Sequence, residues 1–251
     1  MARTKVELGR LKGKVALVTG ASRGVGARTA VLLGEAKAHV VINYRDKVKR
    51  AEEVAEEVRR LGAKAMTVKA DITSAEETQL MFAAIKAAFG RLDILVLNAS
   101  GGLERDADPG YAMRLNRDAQ VRLLEESLPL IPEGGRVVFV TSHLAHFHGE
   151  KPVPGVYEHV AVSKKAGELA LRERLPALAE RAVTMVVVSG DLIEGTTTPK
   201  LMDRKMPGLI EYRREQAGWL PTIDDFAQAI VEAAADELLA HGETVYVGST
   251  E

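Results

Sequence analysis

Runs of consecutive apolar, mostly β-branched residues alternate along the chain with longer stretches in which apolar positions recur every three or four residues. The short runs are Lys14–Thr19, His39–Asn43, Ala65–Lys69, Asp93–Leu97, Arg136–Thr141, Val183–Val188 and Glu243–Val247. They predict seven strands, several of them without polar alternation, as strands covered on both faces require. Between them Val48, Ala51, Val54, Ala55, Val58 and Leu61 mark one helix face, with Gly62 placed to cap its C-terminus. Ser74 and Glu77 have capping-box spacing ahead of another helix, predicted to bury Leu80, Ala84, Ile85, Ala88 and Phe89. Strand–helix alternation with connections of this length predicts right-handed crossovers and a mainly parallel sheet with helices on both faces. The expected fold class is α/β, doubly wound, built as one domain across residues 1–251.

The first predicted strand runs into Thr19-Gly20-Ala21-Ser22-Arg23-Gly24-Val25-Gly26 and then a helix. Glycines there permit a tight turn and let backbone N–H groups approach a pyrophosphate at a helix N-terminus, where the dipole favours negative charge. Three glycines alone are weak evidence. After a first strand, and followed by further strand–helix units, they point to a Rossmann-type nucleotide fold.

Composition excludes more than it selects. The formal net charge is −1, and aromatics make up 4% of residues, so no basic surface or stacking platform argues for nucleic acid. The chain has no cysteine, which removes thiolate chemistry and disulfides and fits a reducing compartment. The segment Met1 to Lys14 is polar and basic rather than signal-like, and no apolar run approaches the roughly 18–20 residues of a membrane span. A cytoplasmic protein is expected, with no membrane partner.

With those elements placed, the chain resembles the short-chain dehydrogenase/reductase family over nearly its whole length. The T-G-x-x-x-G-x-G loop at Thr19–Gly26 matches fully. Asp71-Ile72 stands where the family contacts adenine, and Asn98-Ala99-Ser100-Gly101 resembles its N-N-A-G, departing at Leu97 and Ser100. Asn116 matches the helix asparagine of the family, and Ser142 its substrate-orienting serine. The resemblance implies hydride transfer between a nicotinamide cofactor and a small carbonyl or alcohol substrate. It also implies a homo-oligomer, tetramer or dimer, through helices around Asn116–Pro129 and Glu158–Leu175, where Leu115, Leu123, Leu128, Leu169 and Leu175 serve an interface or the core equally well.

The end of the second strand selects the cofactor. An acidic residue there would bind the ribose 2′-hydroxyl and repel a 2′-phosphate. This chain has Asn43-Tyr44-Arg45 instead, and Arg23 inside the glycine loop. Guanidinium groups bind phosphate dianions, so NADP(H) is expected, unless Arg45 is neutralised by Asp46. Gly20, Ser22, Arg23, Gly24, Val25 and Gly26 belong to the expected cofactor site, as do Asn43, Tyr44, Arg45, Asp71, Ile72, Asn98, Ala99 and Ser100. Lys164, Gly190 and Thr196 complete it, although Thr196 lies two positions later than the family's nicotinamide-contacting threonine.

The catalytic segment departs from the family. Ser163-Lys164-Lys165-Ala166 resembles its S-K-x-A, which makes Lys164 the ribose-binding lysine that also lowers the pKa of the proton-donating tyrosine. The family places that tyrosine four residues earlier; here position 160 is valine, and the nearest tyrosine is Tyr157, seven residues ahead of Lys164. Seven residues are close to two helical turns, about 10.5 Å along an axis, so the two could share a face. Three accounts stay open: Tyr157 donates the proton, with Asn116 and Ser142 completing the catalytic set; a histidine or water replaces it; or the chain is a non-catalytic NADP(H)-binding sensor or scaffold. His143, His146 and His148 lie between Ser142 and Lys164 in a loop with Lys151, Pro152 and Pro154. A metal site there would need converging ligands that the pattern does not supply, and no metal is expected. Residues 191–221, rich in Pro, Gly and Met, are expected to form a substrate lid.

Overall fold

The computed structural model describes residues 9–103, 108 and 110–251. All seven expected strands form: β1 (Val15–Val18), β2 (His39–Tyr44), β3 (Ala65–Lys69), β4 (Ile94–Leu97), β5 (Arg136–Ser142), β6 (Thr184–Gly190) and β7 (Thr244–Val247). They make one sheet in the order β3-β2-β1-β4-β5-β6-β7, with every neighbouring pair parallel. The winding reverses between β1 and β4, so a crevice opens beyond the C-terminal ends of the strands, where open α/β sheets bind ligands.

The helices are α1 (Gly24–Glu35), α2 (Val48–Arg60), α3 (Ala75–Phe89), α4 (Tyr111–Met113), α5 (Ala119–Ser127), α6 (His143–His146), α7 (Glu158–Arg172), α8 (Leu175–Glu180), α9 (Thr197–Lys205), α10 (Leu209–Ala217) and α11 (Ile223–Ala235). A π-type turn, Arg114–Asp118, joins α4 to α5. Strand residues alternate between two apolar layers. Val18, Val40, Val138 and Val186 pack with α1, α2 and α11. Leu17, Leu95, Val137 and Val187 face the opposite way, with α3, α5 and α7. The central strands therefore needed apolar residues at consecutive positions.

Local expectations were less uniform. Gly62 does follow α2 with φ +86, the left-handed value a glycine accepts most easily. In α3 the buried face is Thr78, Met81, Phe82 and Ile85, while Leu80 is 64% exposed. The two faces differ by one position of the helical repeat, and Met81 and Phe82 carry more burial than the alanines counted in their place. Ser74 caps that helix by accepting from the Glu77 N–H, but the Glu77 carboxylate accepts from the Asp71 N–H at 2.8 Å, so the box is half formed. A full box stands at Thr222 and Asp225 instead. Of the five leucines weighed for an interface, Leu115 and Leu123 are buried and Leu128 and Leu175 pack on the core; Leu169 is exposed.

Helix α7 crosses the π turn at backbone contact. A Cβ at Gly167 would lie 2.0 Å from the Asn116 carbonyl oxygen, so only glycine fits. Gly167→Ala should therefore destabilise the protein by about 1–3 kcal/mol, the usual cost of overpacking, read from urea denaturation. His143, on α6, is buried with Nδ1 2.8 Å from the Ser189 hydroxyl. Burial, aided by His146, Arg213 and Lys151 and opposed by Asp191, pulls its pKa down from 6.5 to about 4. The unfolded chain then binds the extra proton first, so stability is lost as pH falls from 6.5 towards 4, by up to about 3 kcal/mol. His143→Gln should flatten that part of the stability–pH curve, measured by denaturation at several pH values.

Candidate nucleotide and carbonyl site

A cavity of about 650 Å³ lies along the C-terminal edge of the sheet. Its floor is a clasp between β1 and β4. The Thr19 hydroxyl accepts the N–H groups of Asn98 and Ala99, both at 3.0 Å, and donates to the Val96 carbonyl. The Asn98 amide donates to the Thr19 carbonyl at 2.9 Å. The glycine loop rests on this clasp: a Cβ at Gly26 would sit 2.5 Å from Asn98 Nδ2 and 2.7 Å from the Gly20 carbonyl. Arg23 precedes α1 without capping it through its side chain, so the first N–H groups of that helix keep their donors for a ligand. Gly20, Ser22, Arg23, Gly24, Val25 and Gly26 all line the cavity. These donors, in a loop where side chains would close the approach, fit the pyrophosphate of a dinucleotide.

Asn43, Tyr44, Arg45, Asp71, Ile72, Asn98, Ala99, Ser100, Gly190 and Thr196, all expected at the cofactor site, also line it. Their states differ from the expectation in two places. Asn43 is buried and its amide is fully used: Oδ1 accepts from the Gly20 N–H at 3.2 Å and Nδ2 donates to the Ala70 carbonyl at 3.1 Å. It staples the glycine loop to the segment that follows β3. Arg45 pairs with Asp46 at 2.9 Å and with the Tyr111 hydroxyl. The exposed cations lining that end besides it are Arg23 and Lys47, and the lysine escaped notice because nothing marks the start of α2 in sequence. Asp71 spends Oδ1 on the N–H and hydroxyl of Thr73, shaping the turn after β3.

At the other end stand Ser142, Tyr157 and Lys164, all lining the cavity. The Tyr157 hydroxyl is 3.2 Å from Ser142 Oγ. Tyr157 occupies the cap position of α7, where its side chain is not bound to the helical repeat and turns back against β5. Val160, in the place the family gives its tyrosine, does not line the cavity; it packs with Ala145, Tyr157, Leu192, Met202 and Leu220, against Gly102. Burial raises the Tyr157 phenol pKa, and the hydrogen bond with Ser142 lowers it in part. Burial pulls Lys164 down to about 8, and the charge of Glu168 opposes the shift. The phenol is thus governed first by burial and then by Ser142.

Asn116 is brought near but not into the cavity. Its amide donates to the Gly101 carbonyl and to Ser163 Oγ, both at 2.9 Å, and its Oδ1 accepts from the Gly101 N–H. It fixes the residue next to Lys164 rather than facing a ligand. The loop histidines diverge: His143 turns to Ser189, His146 to Glu168 and Tyr246, and His148 to Glu158. None of the three lines the cavity. Among the described residues no group of three or more His, Asp or Glu side chains converges as a metal site.

Residues 191–221 hold α9 and α10. Asp191 is clamped by Arg213 of α10, with Nε donating to Oδ1 at 2.9 Å and to Oδ2 at 3.1 Å and Nη2 to Oδ2 at 2.8 Å, and Glu194 accepts from Arg214 at 2.7 Å. Thr196, Thr197, Thr198 and Pro199 line the cavity below them. Gly190 makes room for Phe226, whose ring would meet a Cβ at 2.5 Å. Tyr111 and Phe226 are lining residues for which the sequence carries no signal.

Comparison with known proteins agrees with this geometry. The sequence profile of the short chain dehydrogenase family matches residues 14–205. Versicolorin reductase 1 of Aspergillus parasiticus is 32% identical over 245 residues, covering 90% of this chain and 91% of that protein. A short-chain dehydrogenase/reductase of Pestalotiopsis microspora is 37% identical, but the match spans only 55% of this chain and 54% of that protein. The NADP-bound crystal structure of the angucycline C-6 ketoreductase LanV superposes with a TM-score of 0.79 at 27% identity, over 98% of this chain and 99% of the other. Among the described residues no helix is long and apolar enough to cross a membrane. The chain belongs to the short-chain dehydrogenase/reductase family, a family of oxidoreductases.

Proposed function

We propose that this protein is an NADPH-dependent reductase that delivers a hydride to a ketone or aldehyde, with Tyr157 as the proton donor. The observation that carries the proposal is the Tyr157 hydroxyl 3.2 Å from Ser142 Oγ, in the cavity that also holds Lys164 and the glycine loop. When bound, the nicotinamide supplies the hydride. A substrate carbonyl oxygen between the two hydroxyls accepts hydrogen bonds from Ser142 and Tyr157, and the phenol gives up its proton as negative charge builds on that oxygen. Because Tyr157 is buried and its pKa raised, the phenol is protonated at neutral pH, the form a donor in the reductive direction requires. Lys164 holds the nicotinamide ribose, and Asn116 fixes Ser163 beside it. The cavity lining and the NADP in the LanV structure support NADP(H) over NADH, with Arg23 and Lys47 receiving the 2′-phosphate. The helices α9 and α10 cover the substrate end as a lid that excludes water.

Tyr157→Phe should lower carbonyl turnover by about 10²- to 10⁴-fold, the usual contribution of a positioned proton donor, and leave the NADPH dissociation constant nearly unchanged. Steady-state rates on a panel of ketones and aldehydes, with NADPH fluorescence titration, check both halves; full retained turnover removes Tyr157 from the reaction. Combined Arg23→Ala and Lys47→Ala should reduce the preference for NADPH over NADH by about 10- to 100-fold, as expected for losing charge-assisted bonds to a phosphate. Unchanged selectivity in paired titrations with the two cofactors would move the 2′-phosphate elsewhere.

A further inference from the structure

Behind the cavity, α7 carries charged residues at four-residue intervals, Lys164, Glu168 and Arg172, which puts them one above another on a single face. Lys164 reaches the cavity; Glu168 does not, and its carboxylate is only 2% exposed. A buried carboxylate needs partners, and this one is held from both sides. Oε1 accepts from Arg172 Nε at 2.9 Å, and Oε2 lies 2.9 Å from His146 Nδ1. The other His146 nitrogen is 3.0 Å from the Tyr246 hydroxyl of β7, and the His146 carbonyl accepts from Lys165. Arg172 is itself anchored to the Gly242 carbonyl and the Thr244 hydroxyl, both at 2.7 Å. Burial alone would raise the Glu168 pKa, yet the bonds from His146 and Arg172 hold it below the ordinary value, so Glu168 is anionic across the neutral range.

We propose that Glu168, clamped by His146 and Arg172, is a positioning residue that keeps Lys164 charged and so sets the upper pH limit of cofactor binding. This rests on the ribose-binding role given to Lys164 above. Lys164 is buried, which favours the neutral amine, and Glu168 is the charge that opposes that loss. Besides Lys164, Glu168 meets the α7 cation Arg172 and the α6 imidazole His146; Tyr246 and Thr244 of β7 and Lys165 of α7 bond those two groups in turn. The bonds from His146 and Arg172 hold the carboxylate in its ionised form, which leaves a negative charge one helical turn from Lys164.

The test is the NADPH dissociation constant, by fluorescence titration, from about pH 6 to about pH 10, in the range where a perturbed lysine titrates. Glu168→Gln keeps the side-chain volume and removes the charge. It should move the alkaline loss of affinity down by about one pH unit, the size expected for neighbouring charges one helical turn apart when a second cation partly offsets them. Arg172→Met should move the same limb upward, because Glu168 then acts on Lys164 without its competing cation. A purely structural role predicts weakening in the same direction for both variants, and that result, or an unmoved limb in Glu168→Gln, overturns the proposal. If Glu168→Gln does not fold, as judged by thermal melting, the direction of the Arg172→Met shift decides alone. If Lys164→Ala leaves NADPH affinity unchanged, the cofactor role of Lys164 fails and the proposal falls with it. Loss of carbonyl turnover with intact pH-dependent NADPH binding would count against the reductase reading only.

Discussion

Helix α7 has to satisfy two packing constraints at once, and the site depends on how it does so. At Gly167 its backbone meets the Asn116 turn with no room for a side chain. At its start, Val160 is locked into the apolar cluster with Met202 and Leu220. Those contacts fix the rotation of the helix, and hence the face that carries Lys164 into the cavity. A tyrosine at position 160 would have to enter that cluster. Tyr157, at the cap, is outside the regular repeat and so can turn towards β5 without disturbing it. The hydroxyl arrives beside Ser142 by this route, two helical turns from the lysine.

The separation redistributes the electrostatics. A lysine one turn away would stabilise the phenolate directly, but here burial and Ser142 govern the phenol while burial and Glu168 govern the lysine. In the mechanism we propose, the two ends of the helix face act on different partners, the tyrosine on the substrate oxygen and the lysine on the cofactor ribose. Each is tuned by one nearby group, Ser142 from β5 and Glu168 from α7 itself. At the opposite side of the crevice the Thr19–Asn98 clasp does comparable work for the glycine loop, tying the end of β1 to the end of β4 beneath it.

The sheet was legible because its signal is repeated. Seven apolar runs at strand length, each followed by helical spacing, leave little freedom once both faces must be buried. The glycine loop was legible for the same reason as its function: Gly26 is there because Asn98 and the Gly20 carbonyl occupy the space of a side chain. What the sequence could not show depends on contacts far along the chain. Asn43 reads as a cofactor-site residue and is in addition a staple between Gly20 and Ala70, because its partners are set by strand pairing. Arg45 reads as a phosphate ligand; it lines the cavity and also pairs with Asp46, the alternative its neighbour in sequence raises. The three histidines, close together in sequence, point to Ser189, Glu168 and Glu158, since His143 and His146 sit on the single turn of α6 and His148 follows it. The position of the Tyr157 hydroxyl beside Ser142 depends on where α7 starts, which the sequence does not fix.

The most direct test of the account is a double-mutant cycle on the hydride-transfer step, with Tyr157→Phe, Ser142→Ala and the double variant compared by single-turnover NADPH oxidation. If both hydroxyls act on one substrate oxygen, the double variant should be scarcely slower than the worse single variant, a coupling of about 1–3 kcal/mol. Fully additive losses, or a Tyr157→Phe variant as fast as the native protein, would contradict it.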